Sequence, residues 1–222
     1  MRLLSRADWL FLAGILIFSF IPAVFGLFRI PGLLLGLSII PANPRAVIDP
    51  APIILHVASS SIFCLLGAFQ FLPRLRYGRP ILHRRMGRVL AIAGLISALT
   101  GLWMTVVYPF PETLQGPLLF WVRALISVAM AGCIVHAVCA ARNRQFPLHR
   151  AQMLRAYAIA QGASTQTVLF IVAMAATGTE TLGFSRDVLM VSAWVLNLIF
   201  AELLIRRSPR GTRPAIATPP AE

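Results

Sequence analysis

Six long apolar segments, separated by short polar connections, dominate the pattern of the chain. A helix needs about 20 residues to cross the hydrocarbon core of a bilayer, and each segment has about that length. They predict six transmembrane helices, at 9–28, 53–72, 89–107, 118–140, 156–176 and 188–205. A shorter apolar piece, 30–40, lies between two prolines and is too short to span, so we expect an interfacial or re-entrant segment.

The composition agrees with an all-α polytopic membrane bundle. Hydrophobic residues make up 58% of the 222 residues and charged residues 12%, whereas soluble domains have about 45–50% and 25%. This excludes a soluble globular enzyme, a disordered protein and a secreted disulfide scaffold. We expect a single membrane domain over 1–207, followed by a disordered tail over 208–222 that is rich in Pro.

The charge distribution predicts the orientation. All 20 basic residues are Arg, and sixteen of them fall on one side of the six predicted spans. The positive-inside rule predicts that both termini lie in the cytoplasm, and we expect the protein in a bacterial inner membrane. The arginines alternate with apolar runs, which favours anionic lipid headgroups over nucleic acid as partners. The first segment exceeds the usual apolar region of a signal peptide, so we expect a retained helix.

An internal repeat is visible in two of the arginine-rich connections. One reads PILHRRMGRVLAIAG over 80–94, and the other reads PLHRAQMLRAYAIAQG over 147–162. Aligning His83 with His149 pairs the second and third spans with the fourth and fifth. Parallel repeats of helix pairs of this kind occur in transporters.

The same residues carry a resemblance to a known family. The chain resembles the bacterial predicted membrane proteins with domain of unknown function 2306, over about residues 50–205. One departure is Gln152, where the family pattern has Trp. The resemblance implies a polytopic membrane protein and brings no established reaction or substrate. The residues that carry it are His56, Gly67, Gln70, His83, Arg84, Gly87, Arg88, His149, Arg150, Met153 and Arg155.

Polar groups at membrane depth are candidates for a substrate site, because they are costly there. His56 and Gln70 lie on one stripe of the second span, and Arg123 lies at a depth similar to that of His56. His56 and Arg123, if both are cationic, either share an anionic ligand or a propionate, or lie far apart in the bundle. Gln161 and Ser164 share one face of the fifth span, where they either line a small polar cavity or join helices by hydrogen bonds. Glu202 is expected to pair with Arg206, four residues further on.

Three of the four histidines are expected at one depth, near the arginine-rich side. These are His83, His136 and His149, and two of them on facing helices could hold one b-type haem, with Arg84 or Arg150 pairing its propionates. A metal site at Cys133, His136 and Cys139 is excluded, because six helical residues separate the two sulfurs by about 9 Å.

Three functional hypotheses therefore stand side by side. The first is a redox protein with one b-type haem or a quinone, preferred narrowly because of the three histidines. The second is a carrier or channel for a small solute, and the third is a non-catalytic component that binds lipid or a partner. Nucleotide-binding and hydrolase motifs are missing, and no carboxylate falls in the middle of a span. The sequence leaves enzymatic activity and oligomeric state open.

Overall fold

The computed structural model describes residues 5–36 and 44–207, and these residues form helices and no strand. Six segments are long and apolar enough to cross a membrane, at Asp8–Leu35, Pro50–Phe71, Pro80–Val107, Pro117–Arg142, Phe146–Thr177 and Gly183–Arg207. The predicted all-α bundle of six spans is thereby confirmed. The helices are α1 (Arg6–Leu35), α2 (Pro44–Ile48), α3 (Pro50–Gly67), α4 (Pro80–Val107), α5 (Pro117–Arg142), α6 (Phe146–Ala160), α7 (Gly162–Thr177) and α8 (Gly183–Arg207). The tail over 208–222, predicted to be disordered, lies outside the described residues.

The first helix is longer than the sequence predicts. It begins with a capping box between Ser5 and Asp8, continues through Pro22 and Pro31, and ends at Gly36 with φ of 68°. The expectation of a separate interfacial piece from residue 30 is therefore wrong for 30–35, and 37–40 lie outside the described residues. Prolines are tolerated in membrane helices because the freed backbone groups find other partners.

The core forms where α3, α4 and α5 approach one another. Phe63, Gly94 and Ile134 meet there, and a Cβ on Gly94 would lie 2.7 Å from Ile134 Cδ1 and 2.8 Å from Phe63 Cε2. Phe63 and Ile134 are almost completely buried. A residue without a side chain thus sets how closely α4 approaches its two neighbours.

The fifth span is broken, which the sequence did not predict. It consists of α6 and α7, which meet at Gln161, and it begins ten residues before the predicted 156. The break leaves carbonyl groups without N–H donors from their own helix. They need other donors within the protein, because the bilayer core contains no water to donate hydrogen bonds. Asn197 Nδ2 donates to Ala158 O at 3.1 Å, and Trp194 Nε1 donates to Ile159 O at 3.2 Å. Both donors lie on α8.

The two ends of the bundle differ in charge. Around the arginine-rich end, we find the connection between α3 and α4, the connection between α5 and α6, and the beginning of α1 with the end of α8. Near it, Glu202 of α8 forms a bidentate ion pair with Arg155 of α6, with Nε–Oε1 and Nη2–Oε2 distances of 2.5 and 3.1 Å. The expected pair with Arg206 is therefore wrong, because Arg155 reaches across from another helix.

The two repeated segments adopt the same local structure. His83 is the fourth residue of α4, and His149 is the fourth residue of α6. Their N–H groups donate to the backbone oxygens of Arg79 and Gln145, each of which directly precedes its helix. Each helix has Pro in its first turn, where the missing N–H costs nothing.

We predict that Gly162→Ala destabilises the bundle by about 1–3 kcal/mol, because overpacking a tight site forces neighbours apart. A Cβ on Gly162 would lie 2.0 Å from Trp194 Nε1, which is held by its bond to Ile159. The measurement is thermal melting in detergent. The control is Gly132→Ala on α5, where a Cβ would meet nothing within 4 Å. Equal melting of the two variants would contradict the prediction.

Candidate functional site

A cavity of about 370 Å³ lies in the half of the bundle away from the arginine-rich end. It is bounded by α1, α3, α4, α5, α7 and α8, with α6 contributing its last turn. His56 and Arg123 both line it, and no Asp or Glu is among its described lining residues. Its wall also carries hydroxyl groups, from Ser19, Ser60, Ser61, Ser97, Thr105, Ser127 and Ser164. The cavity therefore has a largely apolar wall that carries hydroxyl groups, one imidazole and one guanidinium.

His56 presents one defined ring nitrogen to this cavity. Its Nδ1 lies 2.9 Å from Ser97 O, and its ring packs over Gly101. A carbonyl oxygen only accepts, so Nδ1 carries the hydrogen and Nε2 remains for a ligand. Because Ser97 belongs to α4, the bond also joins α3 to α4 and fixes the ring orientation.

Arg123 enters the cavity from α5 without a carboxylate partner among its described hydrogen bonds. Its Nη1 donates to Gln115 Oε1 at 2.5 Å, and its Nη2 contacts Met190 Sδ at 3.8 Å. Its guanidinium also lies 5.2 Å from the ring centroid of Phe110. Neutral groups make its described hydrogen bonds, and the Asp187 carboxylate lies within electrostatic range without bonding to it, so its donors are not all taken up by an ion pair.

A second guanidinium lies beside Phe110, a residue that lines the cavity. Arg45 lies 4.7 Å from the centroid of the same Phe110 ring, and its buried Nε has no hydrogen-bond partner. The nearby Tyr108 hydroxyl donates to Asp49 O at 2.6 Å. Burial raises the pKa of the Tyr108 phenol, and the Asp49 carboxylate raises it further, so the phenol stays a donor. Phe110 thus lies between two cations at the edge of the cavity.

Asp187 positions the helix that carries Arg123. This carboxylate is 1% exposed, and it accepts hydrogen bonds from Gly116 N and Leu119 N, both at 3.1 Å. It therefore caps the first turn of α5, where a negative charge is favourable. The sequence places Asp187 at the end of a span, and no pattern in the neighbouring residues indicates that its side chain bonds to the start of α5.

Behind the cavity, the break in the fifth span supports a small polar network. Gln161 Nε2 donates to Ser19 Oγ at 2.8 Å, and Ser164 Oγ donates to Gln161 Oε1 at 2.9 Å. Nearby, Thr165 Oγ1 donates to Asn197 Oδ1 at 2.7 Å. Gln161 thus links α1 to α7, and Ser19 is a participant that the sequence analysis missed.

The structure divides the predicted substrate-site residues into two groups. His56, Arg123 and Ser164 line one cavity, and Gln161 bonds to Ser164 directly. Gln70 does not line it. Gln70 lies in the 3₁₀ turn Ala68–Phe71 after the end of α3, near the arginine-rich end.

The predicted haem residues are also divided. His83 and His149 lie within electrostatic range of each other, and His149 Nδ1 donates to Ala137 O at 2.9 Å. His136 is exposed and lines an apolar groove between α4 and α5 that no other histidine lines. Arg84 and Arg150 follow the two histidines at the starts of α4 and α6. The haem hypothesis stays a prediction, and the spectra of the oxidised and reduced protein test it.

No group of three or more His, Cys, Asp or Glu suited to a metal ion occurs in the part of the chain that the structure describes. The three cysteines, Cys64, Cys133 and Cys139, are free thiols. Cys64 lines the cavity, and its Sγ lies 3.6 Å from Ala160 O at the break in the fifth span.

We predict that Asp187→Ala lowers the free energy of unfolding by about 1–3 kcal/mol, because two N–H groups lose their acceptor. Thermal melting in detergent measures the loss. Glu180→Ala serves as the control, since Glu180 is an exposed acid in the connection just before α8. A melting temperature for Asp187→Ala that equals that of the control would show that the cap does not hold α5.

The comparisons with known proteins give one match. Residues 53–205 match the family described as "Predicted membrane protein (DUF2306)", and comparison with curated proteins and with solved structures finds no match. The matched region runs from α3 to α8 and includes His56 and Arg123. The chain is a member of the DUF2306 family of predicted membrane proteins.

Proposed function

We propose that this multi-pass membrane protein is a carrier for small anionic solutes. The observation that supports it is the cavity between His56 and Arg123, which has cationic and hydroxyl donors and no described acidic lining residue. Ligand sites of this kind combine apolar walls with a few convergent polar groups. Carboxylates and phosphates are the anions that a guanidinium binds best, because its planar donors match their oxygen atoms.

The broken fifth span supports a carrier rather than a structural component. α7 begins at Gly162, beside the cavity, and Ala163 and Ser164 of its first turn line the cavity. The N-terminal end of a helix carries a partial positive charge that favours anions. Half-helices that begin at the binding site, together with internal repeats, are features of secondary transporters.

The proposed orientation places the arginine-rich end in the cytoplasm and the protein in the bacterial inner membrane. The positive-inside rule supports this orientation, since sixteen of the twenty arginines lie in the termini and connections on one side of the six spans. The cavity then lies in the outer half of the bilayer. Anionic headgroups of the inner leaflet are the proposed partners of the arginine-rich end.

A proton accompanies the anion in this proposal. Because Nδ1–H of His56 is bonded to Ser97, a neutral ring offers a lone pair on Nε2, which repels an anion. The imidazole must therefore gain a proton on Nε2 when a carboxylate binds there. The other titratable residues on the wall of the cavity are Cys64, Tyr108 and Arg123. At ordinary pKa values none of these carries a negative charge at neutral pH, so the proton comes from solvent.

We predict that Arg123→Gln reduces anion uptake about tenfold or more. A hydrogen bond to a charged group contributes about 1.5–3 kcal/mol, which corresponds to about 10- to 100-fold in affinity. The measurement is the initial uptake of labelled acetate, benzoate and phosphate into proteoliposomes, with glycerol as the neutral comparison. We expect uptake of at least one anion by the wild type and none of glycerol.

The control for this experiment is Arg29→Gln. Arg29 is a second arginine of the same half of the bundle, on α1, and it does not line the cavity. Its replacement removes the same charge and should leave uptake unchanged. Failure of all three anions to exceed the rate of empty liposomes would overturn the proposal, as would equal loss in the two variants.

We predict that the His56→Asn variant folds normally but no longer takes up a proton when an anion binds. The Asn amide takes the place of Nδ1 and donates to Ser97 O, whereas nothing replaces Nε2. Titration calorimetry in two buffers of different ionisation enthalpy should report about one proton taken up per benzoate by the wild type, and none by the variant. Benzoate affinity should fall at least fivefold in the variant, and proton uptake that survives the substitution would rule out His56 as the acceptor.

A further inference from the structure

Two buried side-chain nitrogen atoms without a hydrogen-bond partner lie at the arginine-rich end. They are Gln70 Nε2 and His83 Nδ1, two of the three buried side-chain nitrogen or oxygen atoms without a hydrogen-bond partner among the described residues. A Cβ on Gly87 would lie 3.9 Å from Gln70 Oε1, and Gly87 follows His83 by one helical turn. Both orphans therefore belong to the corner where the turn after α3 meets the start of α4.

The repeat explains why His83 lacks a partner. His149, at the same position of α6, donates from Nδ1 to Ala137 O, because α5 continues to Arg142 and supplies that carbonyl. The preceding helix of the first unit, α3, ends at Gly67 and passes into the 3₁₀ turn. Phe71, which aligns with Ala137, lies in that turn, and His83 Nδ1 has no hydrogen-bond partner. Burying a donor without a partner is unfavourable. Gln70 Nε2 is a donor, and His83 Nδ1 is one whenever the ring carries a hydrogen there, so an acceptor from outside the chain would satisfy both.

The charge around the corner identifies the type of acceptor. Arg76 and Arg84 lie within electrostatic range of His83, and so does His149. The chain contains no Asp or Glu between Asp49 and Glu112, so these arginines have no acidic neighbour in the same segment. An oxygen-rich anion has the acceptor atoms that the two orphan nitrogens lack and the negative charge that the two guanidiniums attract. Phosphate has this chemistry, and arginine is the side chain that binds it most readily.

The surface next to the corner favours a phosphate that belongs to a lipid. Ile81 and Leu82, at the start of α4, are exposed, and so is Tyr77, over whose ring the Arg76 guanidinium lies at 4.5 Å. Aromatic rings at this level are typical of the interface between headgroups and acyl chains. A phosphate held by Gln70 and His83 would therefore place its acyl chains along the apolar start of α4.

We propose that Gln70, Arg76, His83 and Arg84 form a binding site for the phosphate of an anionic phospholipid. This headgroup site is separate from the cavity at His56 and does not depend on the proposed transport function. The site would hold one lipid headgroup at a defined position. An arginine-rich surface, by contrast, attracts anionic membranes without a defined site. Gln70 and His83 thus distinguish this site from the rest of the arginine-rich surface as much as Arg76 and Arg84 do.

The test uses the full-length chain in neutral detergent. Native mass spectrometry and thermal melting compare phosphatidylglycerol with phosphatidylcholine and with inorganic phosphate. We expect phosphatidylglycerol to bind at least tenfold more tightly than phosphatidylcholine and to raise the melting temperature. The paired substitution Arg76→Gln with Arg84→Gln should remove this preference. Arg142→Gln with Arg207→Gln removes the same charge from the same end of the chain and should keep it.

A second variant separates the site from general charge. Gln70→Leu changes no charge and removes one orphan donor, so the lipid-free protein should melt at a higher temperature while its phosphatidylglycerol preference falls at least threefold. Three results would overturn the proposal: equal affinity for the two lipids, equal loss in both arginine pairs, or a lower lipid-free melting temperature for Gln70→Leu. Inorganic phosphate that binds as tightly as phosphatidylglycerol would assign the site to free phosphate instead of lipid.

Discussion

The structure depends on the requirement that every backbone polar group inside a bilayer find its partner within the protein. The break at Gln161 makes that requirement visible, because it releases carbonyl groups in the middle of a span. Trp194 and Asn197 of α8 supply the hydrogen bonds, and Gly162 gives the indole room. One backbone interruption thus joins α6 to α8 through two hydrogen bonds and lies beside the cavity wall.

The periodic features of the fold were accessible from the sequence. Hydropathy alone located the six spans, because a membrane helix can be recognised by its length and apolar composition. Counting 1.5 Å per residue placed His56 and Arg123 at a similar depth, and the structure lines one cavity with both side chains. The starts of α4 and α6 were marked by Pro and His in matching positions. Each of these inferences used only local spacing.

The features that the sequence did not reveal depend on contacts between distant residues. Nothing in the residues around Gln161 demands a break, since the stabilising donors come from more than thirty residues further along the chain. Asp187 was assigned to the end of a span, yet it caps a helix that begins seventy residues earlier. Glu202 likewise has an arginine in its own helix and pairs with one in another. Local spacing cannot rank such competing partners.

The attachment of α1 has a consequence for how the cavity communicates with its surroundings. Ser19, Pro22 and Ala23 form one wall of the cavity, and the described hydrogen bonds that hold this wall run between Ser19 and Gln161. Other contacts of α1 are apolar, as at Leu12 against Ala68 and Leu72. Apolar contacts between helices exchange readily for lipid, which is equally apolar. The side of the cavity formed by α1 is therefore the one whose apolar contacts with the rest of the bundle lipid can most readily replace.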